Sequence, residues 1–294
     1  MRTPYRRGTG IDEAMSDHES LEYEYNPRVT VPAFARYFER LQALSEETRR
    51  RLPERIGDVA YGDGPLQTMD CFPAGADDAP VHAFFHGGYW RSQDKRDYAF
   101  VARDLVPRGV SVVVVNYELC PAVSVAGINA MCADAVRFIH DNAARLGLGS
   151  GPLTVSGHSA GGQIVARLLA GRTAGETPIA GALAISGVFD LAPLIATSIN
   201  DALGLDEAAA RACSPLYELP PPADVPLRLA VGGAETAAFH EQSEAYRRHA
   251  GIDAPVTTPP GRNHFDVLEA LFLADGEAFG VTAGLAGAGD HSPS

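Results

Sequence analysis

From Pro32 onward, apolar side chains at Phe34, Phe38, Leu41 and Leu44 recur at helical spacing, which predicts an amphipathic helix that Pro53 ends. Strands are expected at 55–61 and 66–72, the second alternating Leu66, Thr68 and Asp70 against Gln67, Met69 and Cys71. The polar run 74–80 reads as a turn. Beyond it the rhythm becomes strand, loop, helix, repeated. Short apolar runs at 81–85, 110–115, 153–155, 180–185, 227–231 and 256–258 alternate with helical stretches at 98–106, 125–146, 163–170 and 236–249, and a final helix follows 264–266. That alternation predicts an α/β fold: a mostly parallel central sheet of about eight strands with helices on both faces. The valines at 112–115 mark its buried centre.

The interval 190–222 carries Pro193, Pro215, Pro220, Pro221 and Pro222 and is too long for a simple connection, so an excursion covering the cleft is expected there. Residues 1–25 read as a mobile tail and 281–294 as a fraying one, leaving one domain over 26–280.

Composition narrows the function classes. Of 294 residues, 46% are hydrophobic, enough for a sizeable core. No apolar run reaches the length of a membrane span, and the basic residues at 1–7 have no apolar stretch behind them, so neither a membrane anchor nor a secretory signal is expected. A formal net charge of −13 argues against a phosphate-tracking surface, and the basic cluster Arg49, Arg50, Arg51 and Arg55 is offset by Glu46, Glu47 and Glu54. Cys71, Cys120, Cys132 and Cys213 are widely spaced, which suggests neither a metal knuckle nor a redox pair and fits a cytoplasmic setting. A small-molecule substrate is the expected partner, and the oligomeric state is left open, a homodimer included.

The chemistry concentrates at Ser156-Gly157-His158-Ser159-Ala160-Gly161-Gly162, between a strand and a helix. Gly157-x-Ser159-x-Gly161 is a nucleophile-elbow pattern, in which small residues two positions either side let neighbouring chain pass a strained serine. The alternative is an ordinary glycine turn with a buried serine. Ala160 then opens a helix, where an amide favours a developing negative oxygen. The loop His86-Gly87-Gly88-Tyr89-Trp90 follows another strand and is the expected second half of an oxyanion hole, with Gly87, Gly88 and Tyr89 as donors.

A serine hydroxyl needs a base. His18 and His291 fall in expected tails, His82 in a strand, and His140 and His249 on helices, while His158 sits in the elbow and is expected to face away from the serine. His264, after the last strand, occupies the slot for the base. The acid should follow a strand between Ser159 and His264: Glu235 is the better placed, Asp190 is its rival with turn capping as its other use, and Asp266 reads as a helix N-cap.

These residues resemble the kynurenine formamidase (arylformamidase) group of the α/β-hydrolases, more distantly the hormone-sensitive-lipase-like esterases. The likeness runs from Asn26-Pro27-Arg28 to the final helix through Tyr61-Gly62-Asp63-Gly64, His86-Gly87-Gly88-Tyr89-Trp90, Asn116-Tyr117-Glu118-Leu119-Cys120-Pro121 and the elbow. It continues in Ser186-Gly187-Val188-Phe189-Asp190-Leu191, Phe239-His240-Glu241-Gln242-Ser243 and Asn263-His264-Phe265-Asp266. The resemblance implies the α/β-hydrolase fold, Ser159 as nucleophile, His264 as base, no metal or other cofactor, and hydrolysis of N-formylkynurenine in tryptophan breakdown. The family's usual acid is aspartate, so glutamate at 235 is a departure. Trp90, Tyr89 and Phe189 are candidates for an aromatic wall, with core packing as the other reading. A carboxylesterase for small aryl or short-chain acyl esters shares every catalytic residue, and a catalytically silent binding protein is the reading from another class.

Overall fold

The computed structural model describes residues 16–172, 175 and 177–288. The expected tails at 1–15 and 289–294 lie outside the described residues, His291 among them.

The strands are β1 Ile56–Ala60, β2 Thr68–Phe72, β3 Val81–Phe85, β4 Ser111–Val115, β5 Leu153–His158, β6 Ile179–Ile185 and β7 Leu227–Ala230. They form one sheet in the order β1-β2-β4-β3-β5-β6-β7. β1 pairs antiparallel with β2 and β2 with β4; from β4 to β7 every pairing is parallel. The eighth strand expected at 256–258 is reduced to one parallel bridge, Ala230 to Thr257. Pro255, Pro259 and Pro260 flank it, and a residue without an N–H cannot extend a ladder.

The helices are α1 Asp17–Tyr25, α2 Pro27–Thr30, α3 Phe34–Arg51, α4 Val125–Asn142, α5 Ala160–Leu169, α6 Asn200–Leu203, α7 Glu207–Cys213, α8 Ala237–His249, α9 Val267–Phe272 and α10 Phe279–Leu285. Strand alternation sorts the core into two layers. Ala83, Phe85, Val113, Val115 and Val155 pack with Ile128, Cys132 and Ile139 of α4 and Ile164 and Val165 of α5. Phe84, Val112, Val114 and Ile185 pack with Leu41 and Leu44 of α3, Leu268 and Leu271 of α9 and Phe279 of α10. β4 is buried along its whole length, as expected of a strand covered on both sides.

Four expectations are corrected. The helix expected at 98–106 breaks into 3₁₀ turns Lys95–Asp97, Ala99–Ala102 and Val106–Arg108, the last carrying Pro107 in its first turn and closed by a left-handed Gly109. The tail expected through 25 holds α1, started by a capping box between Ser16 and Glu19 and docked through buried Tyr25. α10 runs to Leu285, into the stretch expected to fray, and buries Phe279 and Thr282. The 190–222 excursion lays Leu191, Leu194, Ile199, Leu203, Leu205, Ala210 and Cys213 into the α4–α5 core layer instead of covering the cleft.

One polar cluster sits inside the α3–α9 layer. On neighbouring strands, His82 Nδ1 lies 2.9 Å from Thr154 Oγ1 and Nε2 lies 2.7 Å from Ser156 Oγ. Burial pushes the His82 ring down to about 4 from an ordinary 6.5. Between those values the unfolded chain binds a proton that the folded chain refuses, so stability is full above about pH 6.5 and falls as pH drops toward 4. Burial lowers His86 and His158 in the same sense. Urea midpoints measured from pH 7.5 to 4.5 should therefore decline, His82 contributing on the order of 3 kcal/mol at the acid end. His82→Gln should flatten part of that slope; an unchanged slope would show that His82 takes up its proton while folded.

Candidate active site

All the pieces meet at the carboxyl ends of the parallel strands. β5 runs into Ser159, which adopts φ 56° and ψ −116° and caps α5. A side chain with φ in that region is strained by roughly 1–3 kcal/mol. The surrounding glycines let the backbone close around it. A Cβ on Gly157 would lie 2.2 Å from the Gly161 carbonyl oxygen, and one on Gly161 would lie 2.0 Å from that of Phe85. The Ser159 amide donates to Ile185 O at 2.8 Å, which ties the elbow to the end of β6.

The loop after β3 is held from below. The His86 ring stacks on Tyr117 at 4.3 Å and on Tyr98 at 5.8 Å. Its Nδ1 lies 2.8 Å from Gly87 O and its Nε2 lies 2.9 Å from Asn116 Oδ1, while Asn116 Nδ2 donates to Asp94 at 3.0 Å. Tyr117 donates its hydroxyl to His86 O at 2.7 Å. So anchored, Gly88, Tyr89 and Trp90 turn through φ values of 102°, 50° and 54°. Gly88 has no substitute: a Cβ there would lie 2.2 Å from Ser92 O. Among the described residues, the amides of Gly88, Tyr89 and Ala160 have no protein acceptor.

Glu235 follows β7, and its side chain is 1% exposed. Oε2 lies 2.6 Å from His264 Nδ1, and Oε1 accepts from Ser186 Oγ at 2.5 Å and from Gly232 N at 2.7 Å. With Nδ1 protonated toward Glu235, the other ring nitrogen of His264 is the basic one. Asp190, the rival acid, is instead bound by Tyr217 Oη at 2.9 Å and Ala192 N at 3.0 Å, a turn and not a partner of His264. Asp266 stands at the N-cap of α9 without a capping bond; it accepts from Asn263 N at 2.7 Å.

Ser159, His158 and His264 line one cleft of about 540 Å³, counted to its open mouth. Gly88 and Tyr89 reach it from the β3 loop, and Phe38, Leu41, Tyr98, Phe265 and Leu268 form apolar walls. His158 thus does not face away. Its ring leans on that of His264 at 4.7 Å and Nε2 donates to His264 O at 2.8 Å. Burial first, then the neighbouring imidazole, holds His158 well below its ordinary range and so neutral. Trp90 and Phe189 are not wall residues: Trp90 is fully buried and Phe189 stacks on Tyr246 at 4.3 Å within the core.

A model of the alpha/beta hydrolase fold family matches residues 82–258. Kynurenine formamidases of Salmo salar and Drosophila melanogaster are 30% and 32% identical to this chain over 248 and 257 residues, covering 79% and 80% of it and 83% and 84% of their own lengths. The chain belongs to the kynurenine formamidase group of the α/β-hydrolases. A solved structure from Silicibacter sp. TM1040, provisionally named a thioesterase, matches with a TM-score of 0.77 at 30% identity, covering 87% of this chain and 96% of that one. Esterase 2 of Thermogutta terrifontis shares the fold with a TM-score of 0.58 at 21% identity over 80% of this chain and 91% of its own. The protein is accordingly a hydrolase acting on amides or esters.

Membership in the formamidase group leaves several contributors that motif reading passed over. Ser186, at φ 49° directly after β6, holds Glu235, and its signal was its place at a strand's carboxyl end. Asn26, Arg28, Arg91 and Gln93 line the cleft. Among the described residues no three His, Cys, Asp or Glu side chains gather as a metal site, and no helix is long and apolar enough to cross a membrane. Ser186→Ala removes one of two donors to Glu235 Oε1 and should lower kcat/KM about tenfold while leaving the melting temperature within a few degrees. Unchanged turnover on an aryl ester would assign the seating of the acid to Gly232 alone.

Proposed function

We propose that this hydrolase removes the formyl group from N-formylkynurenine or a similar aryl formamide. The carrying observation is the 2.6 Å contact from Glu235 Oε2 to His264 Nδ1, beside a cleft that Ser159 also lines. Ser159 Oγ attacks the formyl carbon while His264 Nε2 takes its proton, and the amides of Gly88, Tyr89 and Ala160, with Gly87 shaping the loop, receive the oxyanion. Collapse breaks the C–N bond as His264 returns the proton to the departing aryl amine. Water, deprotonated by His264, then adds to the formyl-serine; formate leaves and Ser159 regains its proton. Glu235 holds the imidazole in one tautomer and stabilises the imidazolium.

No hydrogen bond joins Ser159 to His264 among the described residues, and such contacts commonly tighten only when substrate is bound. Phe38 and Phe265, whose rings meet edge-on at 5.3 Å, offer the aryl ring an aromatic wall in place of Trp90 and Phe189. Glutamate suits the acid position because its oxygens reach Ser186 and Gly232 on one side and His264 on the other. The four cysteines are free and buried, which suits a reducing compartment such as the cytoplasm.

Ser159→Ala and His264→Ala should each lower kcat by roughly a million-fold, since the pair acts as a unit. Glu235→Gln should lower it by roughly 10³–10⁴-fold, with Asp190→Asn far milder. Near-normal turnover in either of the first two variants removes the mechanism. Across N-acyl aryl amides and matched aryl esters, kcat/KM should fall from formyl to acetyl to butyryl. A maximum at butyryl would make the protein a carboxylesterase instead. Failure to react with a fluorophosphonate probe would point to a silent binding protein.

A further inference from the structure

The cleft has a charge pattern opposite to that of the chain around it. The sequence holds 37 acidic and 24 lysine or arginine residues. Yet Arg28 and Arg91 are the formally charged groups lining the cleft, and no aspartate or glutamate lines it with them. Neither arginine has a carboxylate partner among the described residues. Arg91 is half-buried and spends one nitrogen on two long contacts, 3.3 Å to Ser198 O and 3.4 Å to Ile199 O. Arg28 lies exposed at the mouth, its guanidinium 5.3 Å from the centre of the Phe34 ring. Glu22, which reaches the cleft-lining Asn26, is occupied: its oxygens accept from Asn26 Nδ2 at 2.6 Å, Ser198 N at 2.8 Å and Ser198 Oγ at 2.7 Å.

We propose that Arg28 and Arg91 form a receiver for a substrate carboxylate and so select aryl formamides that carry one, a specificity that rests on the formamidase reading above. A guanidinium presents paired N–H donors that match two carboxylate oxygens, and in a chain of net charge −13 a cleft lined by two arginines and no carboxylate favours an anion. In N-formylkynurenine the amino-acid tail leaves the ring beside the formamide. With the formyl carbon at Ser159 and the ring against Phe38 and Phe265, the carboxylate is carried along the same cleft toward its rim. Both arginines come from segments that also build the site. Arg28 belongs to α2, directly after Asn26, and Arg91 directly follows the Gly88-Tyr89-Trp90 turn. Anchoring the tail thereby fixes the scissile carbon relative to the oxyanion amides.

The test compares N-formyl-L-kynurenine with its neutral α-carboxamide in the wild type, Arg28→Gln, Arg91→Gln and the double variant. The wild type should favour the acid by roughly 10- to 100-fold in kcat/KM, the ratio falling toward one in the double variant. Arg91→Lys should retain part of the preference, and raised salt should erode it. Equal kcat/KM for acid and carboxamide in the wild type, or variants that lose the same factor on both, would overturn the proposal. Arg28 is exposed, so its variant remains informative even where Arg91→Gln disturbs the fold. If neither formamide is cleaved, the formamidase reading fails and the arginines are read separately, from inhibition of aryl-ester hydrolysis by L-kynurenine against L-kynurenine amide. A Ki ratio near one in the wild type then rejects the receiver as well; a ratio favouring the acid, lost in the variants, upholds it.

Discussion

The active-site end of this molecule depends on how closely three backbones pass one another at the elbow. Gly161 rests against the Phe85 carbonyl, Gly157 against that of Gly161, and Gly162 against that of Ile185; a Cβ added at each would stand 2.0, 2.2 and 2.9 Å from the facing oxygen. A single methyl group at the first two would force the ends of β3 and β5 away from the start of α5. That spacing sets where Ser159 sits relative to the loop after β3. It also brings Ile185 close enough to accept from the Ser159 amide, and the next residue, Ser186, is the one that holds Glu235. Ser159 and Glu235 are therefore referred to the same strand end, β6.

A second constraint is the polar scaffold beneath the β3 loop. Strained Tyr89 and Trp90 persist because His86, Asn116, Asp94 and Tyr117 tie the preceding turn to β4 and its following loop. Unpaired buried polar groups cost roughly 1–3 kcal/mol each, so this network holds a single arrangement only while all its members are paired. His158 extends the same principle to His264. Neutral and buried, it donates to the backbone of His264 and packs against its ring, fixing the loop that carries it.

Much of this was legible in the chain because local chemistry and global fold agreed. Five of the seven strands, β3 to β7, are found where the apolar runs stand, β2 lies within the alternating 66–72, and β1 lies within its expected 55–61. Ser159, Glu235 and His264 all stand just beyond strand ends, where they were sought, and Glu235 and His264 meet at 2.6 Å. What stayed hidden depends on distance through space. Trp90 looked like a wall residue because its neighbours shape the oxyanion turn, yet each residue of that turn points a different way and Trp90 falls inward. Phe189 failed for a similar reason, drawn under the excursion by Tyr246 of α8. α1 was invisible because its polar, charged surface gives little apolar periodicity; its docking rests on Tyr25 and Leu21 alone among its apolar side chains and on scattered hydrogen bonds that no pattern of hydropathy records.

That hidden helix matters to the chemistry. Tyr89 donates its hydroxyl to Tyr25 O, so the turn after β3 is tied directly to the end of α1. Gln242 of α8 bonds Tyr25 Oη at 3.1 Å, Glu24 accepts from Ala238 N at 2.9 Å, and Glu22 takes the Ser198 donors. The chain then turns at Asn26 and lays Pro27 and Arg28 along the cleft. One wall of the site is thus built from a segment that contributes no strand to the sheet and is held by buried Tyr25, whose ring meets Phe239, together with these polar contacts. The cleft wall at Asn26, Pro27 and Arg28 is thus set by the docking of α1, while Ser159, Glu235 and His264 are set by the ends of the sheet strands.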